Sequence, residues 1–213
     1  DARVIDLGSG YGSTARYLAK NYGRSIIGNT ISNEELKLAN QRAKEAGLEH
    51  LLTFEYGDFH NIQYPDASFD IVWSQEAFLH GADKERILSE CYRVLKPGGT
   101  LIFSDILVRR DTPQADRQRL YDRLKTTDIW DLPDYEDSLN RHRFEILRKE
   151  EHPESVALTY GGVVDRVREQ RSALAEQIGD ATVAETIDQL DFWVKSARDG
   201  YVSWGIFLAQ KPN

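Results

Sequence analysis

The sequence contains no methionine and a single cysteine, Cys91. One thiol cannot close an internal disulfide, so a disulfide-stapled secreted scaffold is excluded and a reducing cytoplasm fits. The missing methionines include an initiator, so a leading segment is expected ahead of residue 1. No apolar run approaches the roughly 20 residues of a membrane helix, and no signal-like start precedes the first strand. A membrane is therefore not an expected partner. Basic residues are also in short supply, 27 against 35 acidic ones, for a net charge of -8. Nucleic-acid binding leans on clustered Lys and Arg, so that class is not expected either. The five histidines show no metal-ligand spacing, and no metal is expected.

What is present is a 213-residue chain, 40% apolar, enough for one large domain or a domain with an insertion. Its first half alternates strands and helices. Val4 to Leu7 is an apolar strand, and Ser13 to Asn21 reads as a helix. Strands follow at Ser25 to Asn29, Leu52 to Tyr56 and Ser68 to Ser74. Ser32 and Glu35 form a capping box, each expected to satisfy one backbone N–H, for a helix reaching Ala46 and stopped by Gly47. Asp83 caps a helix to about Leu95, and "KPGG" turns the chain into a strand from Thr100 to Leu107. Repeated strand–helix units imply a parallel sheet covered on both faces. Residues 109–134 read as a polar, partly helical excursion. Phe144 to Lys149 reads as a strand, 162–178 and 183–197 as amphipathic helices, and Tyr201 to Gln210 as the last strand. This is one α/β domain over 1–213, with a helical insertion before its last strands.

The opening "VIDLGSGYGSTARYLAKNYG" sets Gly8, Gly10 and Gly12 at alternate positions straight after a strand. Bare backbone there lets a ligand come close, and the helix N-terminus behind it favours negative charge. The same spacing also serves a tight turn with no ligand. A dinucleotide fingerprint would want its third glycine at position 13; this chain reads D-x-G-x-G-x-G from Asp6. Two further stretches extend the pattern, "YGDFHNIQYPDASFDIVWS" and "RVLKPGGTLIFSD". Together the three resemble the class I S-adenosylmethionine-dependent methyltransferases over residues 1–107. That family has a Rossmann-like, seven-stranded, mostly parallel sheet with an antiparallel last strand. "DLGSGYG", "WSQEAFLH" and "SWGIFL" look, more narrowly, like sarcosine/dimethylglycine N-methyltransferases, which make glycine betaine.

The resemblance implies S-adenosylmethionine as cofactor and a small-molecule methyl acceptor. It implies Asp6, Gly8, Ser9 and Gly10 at the methionine end, with backbone N–H groups of the last three facing the ligand. Family members usually carry an acidic residue at the end of strand two. Here Thr30 stands in its place, so Thr30, Asn29 and Glu35 are candidates for the ribose. Asp58 and Phe59 of "GDF" are assigned to adenine. After strand four, Gln75 is the candidate for cofactor contact, and Glu76 and His80 are candidate bases or orienting groups. Trp73, Phe78, Tyr160 and Trp204 are candidates for a cationic, methylated substrate through their aromatic faces, with Trp130 beside them. Arg166 and Arg168 are possible carboxylate partners but read as a solvated helix face. Three functions fit these residues: N-methylation of a small amino acid, O- or C-methylation of a larger natural product, and cofactor binding without turnover.

Overall fold

The computed structural model describes residues 2–213. Strands β1 (Val4–Leu7), β2 (Ile26–Thr30), β3 (Leu52–Tyr56), β4 (Phe69–Gln75), β5 (Leu95–Val108), β6 (Glu145–Glu151) and β7 (Val202–Gln210) form a seven-stranded sheet in the order 3-2-1-4-5-7-6. Helices α1 (Ser13–Tyr22), α2 (Asn33–Glu45), α3 (Lys84–Val94), α4 (Gln114–Leu124), α5 (Leu132–Arg141), α6 (Pro153–Glu169), α7 (Arg171–Ile178) and α8 (Asp180–Arg198) connect them, with one 3-10 turn at Phe78–His80.

β1 runs parallel to β2 and β4, β2 to β3, and β4 to β5. β7 is reversed. The Gly98 N–H donates to the Lys211 carbonyl at 2.8 Å, while the Arg109 N–H donates to the Tyr201 carbonyl at 3.0 Å. Numbers rise along β5 as they fall along β7, which is an antiparallel pairing, and the β7/β6 pair is antiparallel too. The parallel part is what the repeated strand–helix units lead one to expect, and the antiparallel last strand is what the family resemblance implies.

"KPGG" does not precede β5 as a turn. It is a bulge inside it: Phe69 faces Leu95, but Ile71 already faces Thr100. The Gly98 N–H and Gly99 carbonyl bond to Lys211 of the following segment, so this backbone is already paired and counts as strand. The late helices also differ from expectation. The segment taken as an excursion contains α4 and the start of α5, with Pro133 accommodated in the first turn of α5. Gly161 and Gly162 lie inside α6, which starts at Pro153, and a division at Gln170 makes three helices where two were expected.

The chain divides into two compact units. The first comprises the chain up to Asp105, with Pro133–Lys149 and Ile206–Asn213; the second comprises Ile106–Leu132 and Glu150–Gly205. In the first, α1 and α2 bury Ala15, Ala19, Ala39 and Ala43 in one cluster with Val4, Ile26, Leu52 and Phe54. Small residues on the helices let them approach the sheet closely. A second, aromatic cluster joins Phe103 to Phe207, stacked at 4.6 Å, and to Tyr135 of α5 at 5.1 Å. In the second unit α6 packs along α8, and Tyr160 stacks on Trp193 at 5.0 Å with the rings 20° apart. Helix α7 buries none of its side chains.

Candidate functional site

The glycine loop leaves the C-terminal end of β1 with Gly8, Gly10 and Gly12 all at positive φ, between 52° and 72°. Two of them are also sterically obligatory. A Cβ on Gly8 would lie 2.4 Å from the Ala77 Cβ, and one on Gly12 would lie 2.4 Å from the Phe54 ring. At Gly10 the same position is open space.

Asn29, at the end of β2, fastens this loop. Its side-chain oxygen accepts the Gly8 N–H at 3.1 Å, and its carbonyl accepts the Ser9 N–H at 2.8 Å and the Ser9 hydroxyl at 3.1 Å. This corrects the expectation that three N–H groups face a ligand: those of Gly8 and Ser9 are spent on Asn29, and only that of Gly10 has no acceptor among the described residues. Asn29, one of the ribose candidates, clamps the loop in this structure.

Thr30 and Glu35 form a second unit of the site. The Thr30 hydroxyl donates to Glu35 Oε2 at 2.7 Å and accepts the Ser32 N–H at 3.2 Å. The expected capping box is therefore only half made. Ser32 Oγ accepts the Glu35 N–H at 3.2 Å, but the Ser32 N–H donates to the Thr30 hydroxyl rather than to Glu35. The Glu35 carboxylate is thereby brought to the end of β2, where an acidic residue of the strand itself would otherwise stand.

Asp58 and Phe59 follow β3. Asp58 Oδ1 accepts the His60 N–H at 2.8 Å and pairs with His60 Nδ1 at 2.7 Å. Partial burial pushes the Asp58 carboxyl up, but the backbone and ring bonds from His60 outweigh it and hold it below the usual range. The Phe59 ring packs edge-on to Phe78 at 5.9 Å. The loop is pinned from behind by Glu90, which is 2% exposed. Its Oε2 accepts the Ile62 N–H and an Arg93 N–H, and the Arg93 guanidinium also reaches the carbonyls of Ile62 and Tyr64. Sequence reading missed both residues. Their i, i+3 spacing on α3 was the available signal, but it looks like any surface ion pair.

At the end of β4, Ser74 is buried and donates to the Leu7 carbonyl at 2.9 Å. Gln75 accepts from the Thr14 hydroxyl at 2.8 Å, joining β4 to the start of α1. Glu76 is exposed and has φ 51°, a left-handed conformation rare outside glycine, and its N–H is held by the Ser104 carbonyl at 2.8 Å. Such backbone persists only where its surroundings impose it, and it is concentrated at working sites. His80 is exposed, at the end of the 3-10 turn. Phe78 is 1% exposed and packs on Phe59 and Phe103, so it is a core residue in this structure. Trp73 packs against the β1–β2 cluster, and its indole N–H is buried with no acceptor among the described residues.

Tyr160 and Trp204 belong to the second unit. Tyr160 is stacked on Trp193 and has the Arg123 guanidinium over its ring at 5.6 Å. Trp204 lies against His152, and its carbonyl accepts the His152 N–H at 2.7 Å. Trp130 is half-buried, its carbonyl facing the Val108 N–H at 3.4 Å. Arg168 pairs with Asp191 at 2.5 Å and Arg166 bonds the Gly162 carbonyl, which is the solvated-face reading of both.

Asp6 is 4% exposed, at the mouth of the glycine loop, with no donor to its carboxylate among the described residues. Burial pushes its pKa up to about 7. A buried carboxylate without a donor is costly unless a cation or hydrogen-bond donor arrives from outside. With the open space at Gly10, the Glu35 carboxylate at the end of β2 and the outward edge of Asp58, the residues fit a ligand carrying an ammonium, a ribose and an adenine. Among the described residues no group of His, Cys, Asp and Glu could hold a metal, and no helix is long and apolar enough to cross a membrane.

Comparison with known proteins places the chain among methyltransferases. The family described as "Methyltransferase domain" matches residues 5–103. The sarcosine/dimethylglycine N-methyltransferase of Halorhodospira halochloris is 35% identical over 99% of this chain and 76% of its own length. The glycine/sarcosine/dimethylglycine N-methyltransferase of Actinopolyspora halophila is 33% identical over 99% of this chain, which spans only 37% of that enzyme. A crystal structure from Galdieria sulphuraria, provisionally described as a sarcosine dimethylglycine methyltransferase, superposes with a TM-score of 0.92 at 32% identity, over 99% of this chain and 78% of that one.

Proposed function

Because the chain belongs to the class I S-adenosylmethionine-dependent methyltransferases, we propose that it methylates the nitrogen of a small amino acid, sarcosine or dimethylglycine. The observation that carries this reading is the extent of the likeness. It runs over 99% of the chain, through α4 to α8 as well as the nucleotide half that all such enzymes share. We read 1–213 as one methyltransferase domain, with residues 109–200 shaping acceptor specificity. A small molecule is the partner this implies, and the lone buried thiol of Cys91 fits a reducing compartment such as the cytoplasm.

When bound, the cofactor supplies a methyl group on a sulfonium, a leaving group that needs no further activation. The chain's own residues have to hold and orient. Asp6 meets the ammonium, with the Gly10 N–H beside it. Glu35, steadied by Thr30, takes the ribose hydroxyls. Asp58 and Phe59 take the adenine, and Gln75 closes the site from β4. Orientation of this kind is worth roughly 7–11 kcal/mol of barrier. The acceptor nitrogen must arrive without its proton. Glu76 and His80 are the residues proposed to orient it or take that proton; Tyr160 and Trp204, whose aromatic faces suit a cationic product, belong to the second unit.

The test is methyl transfer from labelled cofactor, on the full-length protein, to glycine, sarcosine, dimethylglycine and a panel of phenols and larger amines. Transfer to the methylated glycines is expected, at a rate that climbs with pH above neutrality as the amine loses its proton. Transfer to phenols or carbon acceptors alone would replace this reading with the natural-product one.

A further inference from the structure

His60 is held at every polar atom it has. Its N–H and Nδ1 both engage Asp58 Oδ1, at 2.8 and 2.7 Å. Its carbonyl accepts Arg86 Nε at 3.0 Å, and its Nε2 lies 3.4 Å from the Asp83 backbone nitrogen. The last contact settles the ring chemistry. A backbone N–H can only donate, so Nε2 must accept, and the ring hydrogen then sits on Nδ1, pointing at Asp58. The Phe59 ring lies 5.1 Å from the imidazole, so the ring is also packed. A structural role alone would be met by any side chain filling this space. The arrangement does more, because both donors converge on the same oxygen of Asp58. Oδ2 is left without a partner among the described residues, on a side chain 55% exposed.

We propose that His60 is a positioning residue for the base of the cofactor: it locks Oδ1 of Asp58 so that Oδ2 is presented to the exocyclic amine of adenine. The proposal rests on the reading that Asp58 meets adenine. It makes His60 a determinant of base specificity that touches no ligand atom. A carboxylate free to rotate would spread its acceptors over several directions. One fixed by two donors offers a single one, so less order is lost on binding.

The experiment is calorimetry on the full chain with S-adenosylhomocysteine and with its inosine counterpart, in which the amine is replaced by a carbonyl oxygen. Wild type is compared with His60→Ala, His60→Asn and His60→Gln. Asn carries an N–H near the position of Nδ1, whereas Gln reaches toward that of Nε2. His60→Ala and His60→Gln should bind S-adenosylhomocysteine about tenfold more weakly, the scale of a compromised charge-assisted bond. His60→Asn should stay within about threefold of wild type. The inosine compound should bind all four proteins alike, within about twofold. Equal losses for both compounds, or no loss for either, would overturn the proposal. So would a His60→Asn variant that is folded by circular dichroism yet behaves like His60→Ala. Asp58→Asn separates the two claims: if it leaves S-adenosylhomocysteine binding unchanged, the adenine assignment itself fails.

Discussion

The two compact units solve different problems with different materials. In the first, position is set by backbone. Three glycines at positive φ, an asparagine that holds two loop N–H groups and a strained Glu76 leave few alternatives to the chain. In the second, position is set by side chains on long helices, with surface pairs such as Arg119–Asp188 and Arg171–Asp180 and exposed apolar residues such as Leu158, 72% exposed. A backbone-built site tolerates little substitution and can be recognised at a distance. A side-chain-built region tolerates more substitution.

The sharpest test applies one substitution to both. Gly12→Ala places a Cβ against Phe54 at positive φ and should cost about 2 kcal/mol or more. Gly162→Ala, in mid-helix with nothing within 4 Å, should stabilise by about 0.5–1 kcal/mol. Urea melts that move in the same direction for both would erase the contrast.

Asp6 gives a pH signature confined to the first unit. Burial raises its pKa from the ordinary 3.8 to about 7, so between those values the unfolded chain has released a proton that the folded chain keeps. Stability of the free protein should therefore fall as pH rises from about 4 to about 7, then level off. Cofactor affinity should do the opposite, rising as Asp6 ionises. Asp6→Asn should flatten both profiles and weaken binding at pH 8; thermal scans and titrations across this range would show a persisting slope if another group were responsible.

A smaller effect is expected at the Thr30–Glu35 pair. Thr30→Val preserves shape but removes the hydroxyl that orients Glu35 and accepts the Ser32 N–H. Cofactor affinity should drop about threefold to tenfold, in line with one hydrogen bond to a charged group. The smallest belongs to the second unit: Arg168→Ala removes an exposed pair with Asp191 and should cost at most about 1 kcal/mol, vanishing in high salt. A larger loss would mean that the helical surface is less permissive than its chemistry suggests.

Legibility in the sequence follows the same division. β1 to β4 and α1 to α3 could be read to within a residue or two, because each has a local cause: an apolar run, a Ser32 or Asp83 cap, a glycine stop. The glycine loop after β1 was legible for the same reason. Its wiring was not. Nothing local tells that Asn29 takes the Gly8 and Ser9 N–H groups, since that pairing depends on the register of β1 against β2. Nor could Thr30 be seen to intercept the Ser32 N–H. Past residue 109 the signals weaken. Gly161 and Gly162 argue for a break by propensity, yet α6 runs through them because packing along α8 outweighs roughly 1 kcal/mol per glycine.

The strand order has a consequence for how the protein is made. β7 is the latest of these seven strands to be synthesised, yet it lies between β5 and β6. At about 5–20 residues per second, the ribosome needs several seconds to travel from the end of β5 to the end of β7. Throughout that interval one edge of β5 lacks its neighbour, and β6, once made, has none either until β7 arrives. Such edges pair readily with strangers. The sheet is thus most exposed to misassembly in the interval before β7 emerges, because until then the edge of β5 that β7 will cover stays open.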